Sequence, residues 1–186
     1  LCYANSVLHT VPSGITQTRE PLQIGAELYG HSGLESDLEV QRLMLRCLSV
    51  SGVNKIQLDL GHVAVFRGLI KGAGISRELE IELFAVLQAK DVSTLKELCT
   101  KLQKHTREAL MLLPQLYGDK KILADAIKRL PDYPEIQIAL NELNIVEEEL
   151  KPIVDEIAFD LADLRGYHYH TGMVFAAYAN GCSNAI

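Results

Sequence analysis

The feature that most constrains this chain is the run from residue 76 to 152. It is charged, holds a single glycine, Gly118, is cut by Pro114, Pro131, Pro134 and Pro152, and contains no alternating apolar and polar stretch. Such a run reads as a set of short helices. Ile122, Leu123, Ala126, Ile127 and Leu130 give one apolar stripe at helical spacing, and Leu95, Leu98, Cys99 and Leu102 give another, as packing surfaces of a small bundle do. The acidic run Glu147-Glu148-Glu149 reads as a solvated helix face. Strand-like sequence flanks the block on both sides: Lys55 to Leu60 before it, alternating with Ile56, Leu58 and Leu60 on one side, and residues 157 to 179 after it. Strands on either side of a helical block point to an α+β fold. Its core would comprise residues 1–75 and 153–186, and residues 76–152 would be a helical insertion.

The start of the chain reads as a hairpin, two strands within residues 1–30 joined by a turn around Pro12, Ser13 and Gly14. In its second strand Leu22, Ile24, Ala26 and Leu28 alternate with Gln23, Gly25, Glu27 and Tyr29. The polar face is either a solvated surface or the lining of a site, and Gly25 between two polar side chains fits close approach of a ligand or of another backbone. Residues 36–50 carry the strongest helix pattern, with Ser36-Asp37-Leu38-Glu39 as a capping box and Ser51-Gly52 as its end.

Charge and cysteine usage exclude several classes. Eighteen basic against 24 acidic residues give a formal net charge of −6. No stripe of Lys or Arg is present to neutralise a phosphate backbone, so nucleic-acid binding is not expected. Cys2, Cys47, Cys99 and Cys182 form no C-x-x-C pair, which favours a reducing cytoplasm over a disulfide framework or a zinc knuckle. No apolar stretch approaches the roughly 20 residues of a membrane span. Nucleotide-binding glycine loops, the Walker lysine, the nucleophile elbow and the H-E-x-x-H helix are all missing, and no cofactor or metal is implied. The chain starts without Met and stops straight after a strand-like stretch, as a fragment of a longer protein would.

Residues 157–179 hold five of the eleven aromatics, and within them Leu164-Arg165-Gly166-Tyr167-His168-Tyr169-His170 concentrates unusual chemistry. Arg165 beside Gly166 suits a carboxylate or phosphate. His168 and His170 would share one face of an extended strand, where they either ligate a metal or pack at the mouth of a pocket; no third ligand stands at a readable spacing.

Two segments carry a family resemblance. Thr18-Arg19-Glu20-Pro21-Leu22-Gln23-Ile24-Gly25-Ala26-Glu27-Leu28-Tyr29-Gly30 resembles motif 2 of histidyl-tRNA synthetases, and Leu164 to Phe175 resembles their histidine-recognition motif. The resemblance implies a class II synthetase catalytic domain, an antiparallel sheet flanked by helices, truncated here at both ends. It further implies a histidine site formed by Gln23, Glu27, Arg165, Tyr169 and His170, with Arg19, His9 and His168 at the rim. Four residues of strand span about 13 Å, so Gln23 and Glu27 can bracket an amino acid.

One departure bears on activity. Synthetases place an Arg for the α-phosphate on the strand before the motif 2 loop, and the matching position here is His9. Imidazole cannot supply a permanent bidentate cation, and losing one preorganised donor costs about 3 kcal/mol of transition-state stabilisation. The local wording is most similar to the non-catalytic branch of the family, the regulatory subunits of ATP phosphoribosyltransferase. That branch implies no chemistry of its own, a short-form catalytic subunit as partner, a homodimer within a hetero-octamer, and L-histidine as effector. The alternative is a histidyl-tRNA synthetase core, an ATP-dependent ligase.

Overall fold

A computed structural model describes residues 1–10, 18–165, 169, 172–180 and 185–186. It divides into two units, Leu1–Arg46 and Cys47–Ile186.

The first unit opens with strands β1 (Cys2–Ser6) and β2 (Leu22–Ala26), paired antiparallel from Cys2 opposite Ala26 to Ser6 opposite Leu22. Backbone bonds from Val7 N–H to the Pro21 carbonyl at 3.0 Å and from His9 N–H to the Arg19 carbonyl at 2.8 Å lengthen the ladder. The turn expected at Pro12, Ser13 and Gly14 lies outside the described residues. The apolar face of β2 remains open, with Leu22 79% and Ile24 72% exposed.

Helix α1 (Leu34–Val50) begins two residues earlier than the capping-box pattern predicts, and the division between the units falls within it. Ser36 lies inside the first turn. Its Oγ donates to the His31 carbonyl, so it satisfies an acceptor ahead of the helix instead of capping the helix N–H groups. Ser51-Gly52 ends α1 as expected, with the Val53 N–H reaching back to the Leu48 carbonyl at 3.0 Å.

The second unit runs β3 (Ile56–His62), α2 (Val63–Gly72), α3 (Arg77–Gln88), α4 (Val92–Leu98), α5 (Lys104–Leu112), β4 (Tyr117–Gly118), α6 (Lys121–Arg129), α7 (Pro134–Leu150), β5 (Glu156–Asp160) and β6 (Met173–Ala179). Its sheet has the order β4-β5-β3-β6. Two pairings are antiparallel, and the third, β3 with β5, is parallel. A parallel pair needs a long crossover, which the helical block between the two strands supplies. Residues 76–152 are helical as expected, save for β4. That strand of only two residues adds an edge to β5 and is too short for any alternation to show.

Register gives this sheet two unlike faces. Leu58, Leu60, Phe159 and Ala177 share one face and are buried; α7 packs on β3, and α2 on β6 and on α7. Gln57, Asp59, Glu156, Asp160 and Tyr178 share the other. At the end of β3, buried His62 caps α2 by accepting the Ala64 N–H at Nδ1 (3.2 Å), which leaves Nε2 to donate to Glu142 of α7 at 2.9 Å.

Within the helices Leu95, Cys99, Leu123, Ala126 and Leu130 are buried as the stripes predict, whereas Ile127 faces outward. The acidic run is corrected at one position. Glu147 is buried and binds Lys120 at 2.7 Å, with Lys151 at 3.7 Å; helix α7 turns this residue toward Lys120 at the N-terminal end of α6 while Glu148 and Glu149 stay exposed. No helix among the described residues is long and apolar enough to cross a membrane.

Candidate functional site

The polar face of the second unit's sheet floors a groove of about 940 Å³. Strand alternation builds the floor, because Gln57 and Asp59 stand two apart on β3 and the Gln57 amide donates to Asp59 at 2.7 Å. Lys90 enters from the loop after α3, in the left-handed region at φ 53°, and its ammonium donates to Asp160 at 2.7 Å. The same ammonium lies 5.4 Å from the centre of the Tyr117 ring. Bonding to Asp160 holds Lys90 above its ordinary pKa against the opposing pull of burial.

The far wall is the turn after β5, where two aspartates act alike. Asp160 accepts the Ala162 N–H at 3.0 Å and Asp163 accepts the Arg165 N–H at 3.1 Å, each bonding the backbone two residues on. Leu161 and Ala162 between them, and Leu164 just after, are buried and anchor the turn. Gly61 of β3 lies under it, since a Cβ there would stand 2.8 Å from the Asp160 carbonyl oxygen. Asp163 also takes the Arg165 side chain, with Nε at 3.0 and 2.9 Å from its two oxygens and Nη2 closer still. Burial raises the Asp163 carboxyl, but its bonds to Arg165 outweigh that and leave it below the ordinary value. Arg165 is held above its own ordinary value, first by Asp163 and also by the Tyr178 hydroxyl.

The residues expected to hold histidine are divided between the two units, and each half is described separately. In the first unit Gln23 donates to the Tyr3 hydroxyl at 2.5 Å, and Glu27 accepts from the Tyr29 hydroxyl. The space over Gly25, which suits close approach of a ligand or of another backbone, is filled by the Tyr3 ring, which a Cβ there would overlap; Tyr3 stands directly opposite Gly25 in the ladder, so a cross-strand neighbour uses the gap. Arg19 and His9 are exposed and joined through the Arg19 Nε bond to the His9 carbonyl at 3.2 Å. In the second unit Arg165 lines the groove, while Tyr169 is 84% exposed and is not part of the lining. His168 and His170 lie outside the described residues. Sequence reasoning missed Asp160, Asp163, Lys90 and Tyr178, although the repeated Asp-Leu-x spacing of the turn was a readable signal for two of them.

A cationic edge at one end of a groove and carboxylates along its floor can receive a small ligand bearing both a carboxylate and an amine. The comparisons with known proteins agree with the fold. Three proteins named ATP phosphoribosyltransferase regulatory subunit, from Nitrosospira multiformis, Nitrosomonas eutropha and Nitrosomonas europaea, are 66%, 64% and 62% identical to the whole chain. The chain spans about half of their length, 48%, 49% and 49%. A crystal structure of an ATP phosphoribosyltransferase regulatory subunit/histidyl-tRNA synthetase from Bacillus halodurans superposes with a TM-score of 0.85 over 99% of this chain and 48% of that one, at 24% identity. A structure of the ATP phosphoribosyl transferase (HisG:HisZ) complex from Thermotoga maritima matches at 0.75 over 100% of this chain and 65% of that one, at 19% identity. The family model described as histidyl-tRNA synthetase matches residues 1–186, and the helix-backed sheet with Arg165 at its open face is therefore that of a chain belonging to the histidyl-tRNA synthetase family.

Proposed function

We propose that the protein is a regulatory subunit of ATP phosphoribosyltransferase, acting in the first step of histidine biosynthesis without performing the transfer itself. The observation that carries this reading is identity of 62% or more, along the entire chain, to three proteins bearing that name. His9 supports it from within the sequence, because an imidazole occupies the position where adenylate formation wants a fixed cation. The partner is a short-form catalytic subunit, the assembly a hetero-octamer built on a homodimer of this subunit, and the compartment the cytoplasm. Residues 76–152 form the insertion on a synthetase-like core of residues 1–75 and 153–186, and the insertion offers the docking surface.

L-histidine is the effector, with Arg165 suited to its carboxylate; Gln23 and Glu27 carry groups of the kind that bind an amine and an imidazole. Feedback then requires histidine to bind two states of the assembly unequally, since a ligand with equal affinity for both shifts neither.

The test mixes the full-length protein with a short-form catalytic subunit and follows phosphoribosyl-ATP formation. A rise in rate on mixing, reversed by histidine, is the expected result. Histidine-dependent exchange of pyrophosphate into ATP by the full-length protein alone would instead establish a ligase and overturn the proposal.

A further inference from the structure

Arg165 does not enter the groove as a free cation. A guanidinium has two edges that can grip a planar anion, the side edge of Nε with one Nη and the end edge of both Nη groups. Asp163 occupies the side edge through both of its oxygens, and it also accepts the Arg165 backbone N–H. The aspartate is itself fixed, with a side chain only 12% exposed, in a turn pinned by Asp163 N–H to the Asp160 carbonyl at 3.2 Å. Asp160 in turn is held by Lys90. The Tyr178 hydroxyl is a second partner of the guanidinium; the end edge bearing Nη1 carries no carboxylate of the protein among the described residues, and Arg165 lines the groove.

We propose that Asp163 is a positioning residue, which holds the side edge of Arg165 so that the end edge receives the carboxylate of a small amino-acid ligand. This rests on the histidine-effector reading above and adds to it the residue that sets discrimination for a free carboxylate. Without Asp163 the arginine side chain, half exposed, samples several rotamers, and the entropy of fixing it falls on ligand binding.

The experiment measures, by calorimetry on the full-length protein, the affinities for L-histidine and for L-histidine methyl ester, which keeps the amine and imidazole but has no carboxylate. Wild type is expected to prefer histidine by at least about tenfold, the scale of one charge-assisted bond. Asp163→Asn and Asp163→Ser both keep an acceptor for the backbone turn and remove the charge. In whichever of them folds, the preference is expected to drop to about threefold or less, with ester affinity unchanged and Asp163→Glu restoring most of the loss. In an Arg165→Ala background the same substitutions should have no further effect on the ratio. A ratio unchanged in Asp163→Asn, or a fall in the affinities for both ligands together, overturns the positioning role while leaving the histidine reading intact. No heat from wild type with either ligand overturns that reading and this assignment with it.

Discussion

Gly61→Ala is the substitution whose outcome follows most directly from the geometry. An added Cβ would stand 2.8 Å from the Asp160 carbonyl oxygen, 3.1 Å from Val174 Cγ2 and 3.3 Å from Asp163 Cβ, where ordinary contact starts at 3.4 Å. The first of these neighbours is backbone and cannot swing aside, so the turn carrying Arg165 must lift by about 0.6 Å. Overpacking of this kind costs about 1 to 3 kcal/mol. Replacing a strand glycine returns about 0.5 to 1 kcal/mol by reducing unfolded-chain entropy. Steric cost wins, and the net expectation is a destabilisation of about 1 to 2 kcal/mol. Urea unfolding of the full-length protein, followed by far-ultraviolet circular dichroism, reads this as a midpoint lowered by about 0.5 M for a slope of about 3 kcal/mol/M. Native-state amide exchange localises it. The Leu161 N–H, bonded to the Leu116 carbonyl at 3.1 Å, and the Asp163 N–H should lose protection, while the β3–β6 ladder at Leu58 keeps it. A variant more stable than wild type by the full glycine gain, with both amides equally protected, would refute the close approach of turn and strand.

Three further outcomes follow from pairs described above. Because Nδ1 of His62 accepts an N–H, its ring is neutral and a neutral acceptor serves opposite it: Glu142→Gln should cost under about 1 kcal/mol and His62→Leu about 2 to 3 kcal/mol in urea midpoints, and equal costs would contradict the tautomer. The Asp163 carboxyl lies below its ordinary value when folded, so its contribution is complete above the unfolded pKa near 4 and disappears as pH falls through the lower folded value; the stability gap between wild type and Asp163→Asn should be constant from about pH 5 to 8 and narrow progressively as the pH is taken below the unfolded value. Lys120→Met leaves the buried Glu147 with its more distant partner, Lys151, and a loss of about 1 to 3 kcal/mol is expected by thermal unfolding; no loss would mean that Lys151 alone satisfies the carboxylate.

Elements whose pattern is set by local spacing were legible in the sequence. The helical block from 76 to 152, the first hairpin and the apolar side of β3 all follow from periodicities of 3.6 and 2. What escaped depends on partners distant in the chain. β4 is two residues long and exists because β5 offers an edge, and Glu147 is buried because α6 places Lys120 against it. At the candidate site, Arg165 was found through its glycine neighbour and its motif. Asp163 was not, because its role lies in a side-chain fork that spacing alone does not reveal, although the Asp160-Leu161-Ala162-Asp163-Leu164-Arg165 repeat hinted at paired turns. Gly25 shows the converse: a gap that suits close approach of a ligand or of another backbone is filled by a tyrosine across the ladder.

The parallel pairing of β3 with β5 also sets a schedule. Asp155, just before β5, binds the Ile56 N–H at the start of β3 across 99 residues of sequence. At translation rates of about 5 to 20 residues per second, β3 leaves the ribosome some 5 to 20 s before its central neighbour has been made. Helices α2 to α7, with β4 among them, are synthesised in that interval and can fold on local contacts, while both hydrogen-bonding edges of β3 wait for β5 and β6.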